Sequence, residues 1–163
     1  MQNSKSLSFS FTEYATITEL PEKYMKLAHQ AIEATKASYS PYSEFAVGAA
    51  LLLTNGEVIL GSNQENGAYP SGMCAERVAL FYAGTAYPNV PVEALAIAAN
   101  SKGKPVAEPI SPCGACRQVM IETQNIGKRP YKVIMVGANR VIVVDDASFL
   151  LPFTFSNTVD ASK

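Results

Sequence analysis

The chain contains three cysteines, and all of them lie in two short motifs. The first motif is CAER over residues 74–77, and the second is PCGACR over residues 112–117. Thiolate sulfurs are good ligands for Zn²⁺, and Cys113 and Cys116 are about one helical turn apart, so both can contact one ion. With Cys74 they would leave one position of a tetrahedral ion open. An open position on zinc is where a water molecule is activated.

Glu76 is the residue of the first motif that suits proton transfer. It lies two residues after Cys74, near the predicted start of a helix, and could reach the open position on the metal. A carboxylate placed there can take a proton from water and pass it to a substrate, which contributes about 10²–10⁴ in rate. Arg77 and Arg117 follow the two motifs, and we expect them to donate hydrogen bonds to the sulfurs and offset their negative charge.

Two other interpretations of the cysteines need different partners. A CxxC pair can be redox-active, but a thioredoxin-like pair would leave Cys74 and Glu76 without a role. A closed structural zinc site needs four protein ligands, and the one histidine of the chain, His29, is the candidate for the fourth. His29 lies on the predicted first helix, where an exposed or core-edge position is the favoured interpretation. A non-catalytic zinc module stays open as an alternative.

Hydrophobic periodicity predicts the elements that must position these motifs. The most distinct is a hairpin around Asn55-Gly56, a strong turn signal between two apolar runs. Residues 7–11 alternate apolar and polar, which predicts a short edge strand, with a flexible tail as the alternative. The other predicted elements are a helix over 21–37, hairpin strands over 45–53 and 57–62, a helix over 73–84, a strand over 92–100, a helix over 113–124, strands over 131–137 and 141–146, and a short helix or turn over 147–155.

Strands alternating with helices predict an α/β fold. We expect a three-layer α/β/α arrangement with a mixed central sheet of about five strands. Both cysteine motifs open helices that follow sheet elements, so they could converge at one end of the sheet. The length favours a single domain over residues 1–163, in which residues 1–20 are an N-terminal extension whose role the sequence does not define.

Composition argues against several classes of function. With 13 basic and 14 acidic residues, the chain lacks the positive charge expected of a protein that binds nucleic acid or an anionic membrane. No apolar run approaches the roughly 18–20 residues that span a bilayer, and the N-terminus lacks the apolar stretch of a secretory signal. An odd number of cysteines fits poorly with a secreted disulfide framework. We therefore expect a cytoplasmic protein that binds neither nucleic acid nor membrane.

The two motifs together resemble those of the zinc-dependent cytidine deaminases. Zinc deaminases carry His- or Cys-x-Glu followed by Pro-Cys-x-x-Cys, and residues 74–76 and 112–116 match the all-cysteine variant of the small homotetrameric enzymes. Further similar segments are YSEFAVGAAL, GSNQENGAYPSGMCAER, SPCGACRQVMIE and FLLPFTF, which together cover most of residues 21–155. The resemblance implies the deaminase fold, a homotetramer, and one Zn²⁺ per chain bound by Cys74, Cys113 and Cys116.

The resemblance also implies a reaction and a set of contacts. The reaction is hydrolytic deamination of cytidine and deoxycytidine to uridine and deoxyuridine in pyrimidine salvage, with release of ammonia. Glu76 shuttles the protons, and Arg77 supports the metal ligands. The implied substrate contacts are Phe45 against the pyrimidine ring, Asn63 and Glu65 on the ribose hydroxyls, Ala75 on the base through its backbone, and Tyr69 and Phe155 in a neighbouring subunit's pocket, with Phe153 as a rival of Phe155.

Some of these assignments have plainer alternatives. From the residues alone, Phe45 can be a core residue and residues 63–66 a polar turn. Gln64 and Gly67 stand where the family usually has an aliphatic residue and often has Ala, so the preference between cytidine and deoxycytidine is not defined. A deaminase of another cytosine-bearing nucleoside, such as blasticidin, stays open, although the Asn63 and Glu65 pair argues for a ribose. A nucleic-acid editing deaminase would need a cationic channel that the near-neutral charge does not favour.

Overall fold

The computed structural model of the chain describes residues 3–155, so both ends of the predicted 1–163 domain, residues 1–2 and 156–163, lie outside the described residues. Within residues 3–155 there are three α-helices and seven strands. The helices are α1 (Glu22–Ala34), α2 (Ala75–Ala86) and α3 (Gly114–Gly127), and the strands are β1 (Thr12–Tyr14), β2 (Phe45–Leu53), β3 (Val58–Ser62), β4 (Val92–Ser101), β5 (Lys104–Pro105), β6 (Lys132–Val136) and β7 (Val141–Val144).

All seven strands join one mixed sheet. Their order is β1-β7-β6-β4-β2-β3, with β5 paired to β4. Strands β4 and β6 are parallel, and the other neighbouring strands pair antiparallel. The predicted mixed sheet is confirmed, but its size of about five strands is wrong. The additional strands, β1 and β5, have three and two residues and are too short to show an alternating pattern of their own.

The helices cover both faces of the sheet, which confirms the three predicted layers. Helix α1 packs on one face, where its buried residues Leu27, Ala28 and Ala31 join a core of small and branched strand residues. Helices α2 and α3 pack on the opposite face over a second core. Neighbouring residues of β2 point to opposite faces, as a pleated strand requires, with Ala50 toward α1 and Leu51 toward α2 and α3.

The N-terminal prediction was wrong in position. The strand lies at Thr12–Tyr14, where it pairs with Val141–Val143, and residues 7–11 have no regular secondary structure. Their apolar side chains do not face a sheet core. Phe9 instead stacks on Phe149, with ring centroids 5.6 Å apart. No helix within the described part of the chain is long and apolar enough to cross a membrane.

Candidate active site

The two cysteine motifs lie at the N-termini of two helices on the same face of the sheet. Cys74 immediately precedes α2, Cys113 immediately precedes α3, and Cys116 lies one turn into α3. Unpaired backbone N–H groups and the helix dipole give a helix N-terminus partial positive charge, which favours a thiolate over a thiol. The fold therefore brings two thiolate-stabilising ends together, as the motif positions predicted.

The three sulfurs are spaced for one metal ion. All three Sγ atoms lie within 4.8 Å of one another. The Sγ atoms of Cys74 and Cys113 are 3.8 Å apart, and those of Cys113 and Cys116 are 3.3 Å apart. Two sulfurs bound to a tetrahedral Zn²⁺ at 2.3 Å lie about 3.8 Å from each other, so the observed spacing fits a shared zinc ion.

A fourth protein ligand is absent from this cluster within residues 3–155. His29, the candidate for a closed site, is exposed on α1, which packs on the opposite face of the sheet from α2 and α3. The sulfurs therefore occupy three positions of a tetrahedral ion, and the cluster offers no side chain for the fourth. This is the ligand number of catalytic rather than structural zinc sites.

Proton sharing within the cluster supports a cation as its partner. A hydrogen bond from the Cys116 thiol, assisted by Arg77, lowers the pKa of the Cys74 thiol to about 5. The pKa of Cys116 is raised well above its usual range, first by the same hydrogen bond and then by burial. One thiolate is favourable here, whereas a second and a third beside it require a compensating positive charge. A dication supplies that charge, so the chemistry of the donor set fits Zn²⁺.

The two arginines that follow the motifs have different partners. Arg77 donates from Nη2 to Cys74 Sγ at 3.6 Å, as expected. The expected hydrogen bond from Arg117 to a sulfur is not formed. Arg117 instead donates to two backbone carbonyls, from Nε to Pro112 at 2.8 Å and from Nη1 to Leu150 at 3.0 Å. Arg117 therefore ties the segment before Cys113 to the C-terminal segment rather than to a sulfur.

Glu76 is a buried carboxyl group beside the sulfur cluster. It is the second residue of α2 and is only 4% exposed. Burial raises the pKa of the Glu76 carboxyl, and the charge of Cys74 acts in the same direction. A raised pKa makes a carboxyl group a stronger proton acceptor, which suits a group that takes a proton from water. Ala75, the preceding residue, is fully buried at the start of the helix.

Asn63 holds the loop after β3 against the start of β2. Its Oδ1 accepts from the backbone N–H of Val47 at 2.7 Å and from Ser38 Oγ at 2.5 Å. Its Nδ2 donates to the carbonyl of Phe45 at 2.9 Å. These bonds bring Asn63 next to Phe45 and leave one amide N–H available for a ligand.

Glu65 is an ionised acceptor in the same loop. Its Oε2 accepts from the backbone N–H groups of Tyr42 and Ser43 at 2.9 and 3.3 Å, and its Oε1 accepts from the Ser43 hydroxyl. These bonds, the hydroxyl first, lower the pKa of the Glu65 carboxyl. Between Asn63 and Glu65, the backbone of Gln64 exchanges two 2.9 Å hydrogen bonds with Met73, which directly precedes Cys74. The predicted ribose pair is thus joined to the metal cluster through the backbone.

A pocket of about 490 Å³ lies beside this junction. Five of the eleven residues predicted for the site contribute to its walls, whereas Phe45, Ala75, Glu76, Cys113, Cys116 and Phe155 do not. Sequence reasoning missed Tyr42 and Ser43, for which the only signal was a polar loop directly before Phe45. The lining residues are Tyr42, Ser43, Asn63, Gln64, Glu65, Asn66, Tyr69, Gly72, Met73, Cys74 and Arg77.

The predicted aromatic contacts to a neighbouring subunit lie on the surface. Tyr69 is 74% exposed, Phe153 is 92% exposed and Phe155 is 80% exposed. Tyr69 makes an edge-on contact with Tyr42, with ring centroids 6.0 Å apart. Phe155 is held through its carbonyl, which accepts from Gln118 Nε2 at 2.8 Å. Nothing within residues 3–155 covers the rings of Phe153 and Phe155 to a degree typical of core residues.

The metal cluster and the fold have counterparts in a known family. Residues 21–142 match the family model described as the cytidine and deoxycytidylate deaminase zinc-binding region. The chain belongs to this deaminase family. The matched segment includes all three cysteines and Glu76, and the three sulfurs form a cluster suited to the metal that the family description names. Zn²⁺ is therefore the cofactor of this deaminase-family chain.

Individual family members show the same similarity over most of the chain. This chain is 42% identical to the cytidine deaminase of Halalkalibacterium halodurans over 130 residues. The aligned region covers 80% of this chain and 92% of that protein. The chain is 41% identical to the cytidine deaminase of Sporosarcina psychrophila, over 80% of this chain and 90% of that protein. The crystal structure of cytidine deaminase from Burkholderia pseudomallei superposes with a TM-score of 0.70 and 40% identity, over 83% of this chain and 100% of that one.

Proposed function

We propose that this chain is a zinc-dependent hydrolase that converts cytidine and deoxycytidine to uridine and deoxyuridine and releases ammonia. One observation carries the proposal: three sulfurs spaced for a single zinc ion lie next to a buried carboxyl group whose pKa is raised. This arrangement supplies a metal position for water and a neighbouring proton carrier. The names of the similar proteins, which are cytidine deaminases, support the choice of substrate.

In this proposal Cys74, Cys113 and Cys116 hold the metal, and Glu76 moves the protons. Bound Zn²⁺ lowers the pKa of a water molecule, so that water becomes a nucleophile at neutral pH. Glu76 takes one proton from the attacking water and delivers it to N3 of the pyrimidine. It then carries the second proton to the amine that leaves from C4, which balances cytidine and water against uridine and ammonia. Burial of Glu76 supports this role because it raises the pKa of the carboxyl group, which makes the group a stronger proton acceptor.

Substrate contacts follow from the loop that joins Asn63 to the cluster. Asn63 has one amide N–H left to donate, and Glu65 is an ionised acceptor, so together they suit a ribose hydroxyl that both accepts and donates. A site built to bond a hydroxyl rejects ligands that lack it. Phe45 would contact the pyrimidine ring, and the backbone of Ala75 would contact the base. The alternative of a blasticidin-type substrate has no observation in its favour.

We also infer a homotetramer in which Tyr69 and Phe155 complete a neighbouring subunit's pocket. Their high exposure supports this, because exposed aromatic side chains are available to a second chain. Residues 1–163 would act as one domain, since β1 of the extension belongs to the same sheet as the rest. We place the chain in the cytoplasm and in pyrimidine salvage, and its three unpaired cysteines accord with that reducing compartment.

A substrate panel tests the function directly. The purified chain is assayed for zinc and for ammonia release from cytidine, deoxycytidine, cytosine, adenosine and blasticidin. We expect one zinc per chain and turnover of the two nucleosides. Glu76→Gln removes the proton carrier at nearly constant size, so it should keep the zinc and lose about 10²–10⁴ in rate. One zinc per chain without turnover of any cytosine compound would instead support a non-catalytic zinc module.

A further inference from the structure

The N-terminal segment precedes the matched family region, which begins at residue 21. It packs against the α1 side of the sheet through Tyr14, Ile17 and Leu20, and it makes two further contacts toward the Cys113 side of the molecule. The first contact is the stack of Phe9 on Phe149, with an interplanar angle of 24°. The second is β1, which pairs with β7 and carries Glu13. The Glu13 carboxylate accepts a hydrogen bond from Arg140 Nη1 at 2.8 Å. Both partners, Phe149 and Arg140, are also linked by hydrogen bonds to the loop that precedes Cys113.

Phe149 is linked to the loop before Cys113 through Arg117. Phe149 lies in a short 3-10 turn, Ala147–Leu150. The carbonyl of Leu150, the last residue of the turn, accepts from Arg117 Nη1 at 3.0 Å. Arg117 Nε in turn donates to the carbonyl of Pro112 at 2.8 Å, immediately before the first cysteine of the second motif. A ring that fixes this turn therefore also fixes one end of the segment before Cys113.

Arg140 connects to the other end of the same segment, residues 106–112, which we call the Cys113 loop. Arg140 Nε donates to Glu108 Oε2 at 2.6 Å. The turn between β6 and β7 also donates two backbone hydrogen bonds, at 2.9 and 3.0 Å, to the carbonyls of Val106 and Ala107. A Cβ at Gly137 would lie 2.6 Å from Pro109 N, so the loop backbone lies directly against this strand end.

We propose that Phe9 and Glu13, called here the N-terminal brace, position the Cys113 loop, Phe9 by holding Phe149 and Glu13 by holding Arg140. This proposal rests on the proposed zinc site, because the loop matters as the support of a metal ligand. Neither brace residue lines the pocket beside the metal cluster, and the two partners, Phe149 and Arg140, are not among the sulfur ligands. Cys113 is exposed, so its position depends strongly on how firmly the preceding loop is held.

The competing explanation is that the segment adds only general stability. Four full-length variants separate the two explanations. Phe9→Ala and Glu13→Gln remove the two brace contacts. Phe11→Ala is the matched control for the ring, because Phe11 lies in the same segment and is 56% exposed, compared with 46% for Phe9. Glu33→Gln is the matched control for the carboxylate, because Glu33 forms a 2.8 Å ion pair with Lys36 on the far face.

Zinc release to a chelating dye and hydrogen exchange over residues 106–117 are measured for each variant, together with its thermal midpoint. Each brace variant should release zinc about fivefold faster, the effect of losing one modest contact, and exchange faster in that segment. Both controls should stay within twofold of the parent. The conservative Phe9→Tyr should behave like the parent because it preserves the stack.

Two results would contradict the proposal that Phe9 and Glu13 position the Cys113 loop. One is that Phe9→Ala and Phe11→Ala lower the thermal midpoint without any selective change in exchange over residues 106–117. The other is unchanged zinc release in both brace variants. These readouts do not depend on turnover, so a chain that binds zinc but fails to deaminate cytidine would contradict the proposed function and leave the brace standing.

Discussion

Gly61 lets β3 lie directly against the first turn of α2, so a single added methyl group there should displace the catalytic end of that helix. A Cβ at position 61 would lie 2.3 Å from the carbonyl oxygen of Ala75 and 2.9 Å from the backbone nitrogen of Ala79. Ordinary van der Waals contact begins at 3.4 Å, so in Gly61→Ala the start of α2 must move by about 1 Å. Both obstructing atoms belong to backbone, which cannot turn aside as a flexible side chain can.

The size of the effect follows from two separate costs. Overpacking a well-packed core typically destabilises a protein by about 1–3 kcal/mol. A misplacement of about 1 Å between reacting groups costs about 10² in rate. Because Cys74 and Glu76 lie at the displaced end of α2 while Cys113 and Cys116 lie on α3, the movement would change the position of the carboxyl group relative to two of the three sulfurs. We therefore expect kcat to fall by about 100-fold.

Gly48→Ala is the matched control. A Cβ at Gly48 would lie 2.1 Å from the carbonyl oxygen of Ala31, which belongs to α1 on the opposite face of the sheet. Gly48→Ala should cost at least as much stability, while kcat per folded molecule should stay within about threefold of the parent. The measurements are kcat and KM for cytidine, zinc content, and the free energy of unfolding in urea.

A Gly61→Ala protein that is clearly destabilised but keeps its kcat would show that the position of α2 does not govern the chemistry. Equal losses of kcat in the two variants would show that the effect comes from the sheet as a whole. A Gly61→Ala protein as stable as the parent would show that α2 accommodates the added methyl group without strain.

Three further predictions concern the metal, the substrate loop and the core. Arg77→Ala should weaken zinc retention about tenfold in a chelator competition, because its hydrogen bond to Cys74 is lost, and equal retention would contradict that role. Asn63→Ala should raise KM for cytidine and lower stability by about 1 kcal/mol in urea unfolding, since partly buried backbone partners lose their bonds. An unchanged KM would exclude a ribose contact. Burial raises the pKa of Tyr131, whose hydroxyl donates to the carbonyl of Met120. The contribution of Tyr131 to stability is therefore full below the pKa of about 10 that tyrosine has in the unfolded chain, and it is lost as the pH rises above that value. Tyr131→Phe should therefore reduce the loss of stability between pH 9 and about 11, and an identical loss would place the alkaline sensitivity elsewhere.

The sequence predicted the large elements because each carries a long periodic signal. The hairpin strands around Asn55-Gly56 and the helices that follow the two cysteine motifs lie within a few residues of their expected bounds. Short elements were missed because their position depends on a partner strand. β1 forms where Thr12–Tyr14 meets β7, while the apolar alternation over residues 7–11 arises from packing such as that of Phe9 on Phe149.

Hydrogen-bond partners in the site could be predicted only where they are close in sequence. Arg77 and Cys74 are three residues apart on one helical turn, and their contact was expected. Arg117 has the same place relative to its motif, but the carbonyl of Leu150, 33 residues away, is within its reach. Asn63 likewise bonds Val47 and Ser38, which are 16 and 25 residues away. Partners at such separations become visible only once the sheet and loops are in place.

The two segments that carry the cysteines each pack closely on the sheet at a glycine. Gly61 of β3 lies under the carbonyl of Ala75, next to Cys74, and Gly137 at the end of β6 lies under Pro109 in the loop that leads to Cys113. In each case a Cβ would come within 2.6 Å of backbone atoms, so the approach is closer than any other residue permits. The sheet therefore sets the distance between the two helix N-termini, and the spacing of the sulfurs follows from strand positions rather than from the cysteine motifs alone.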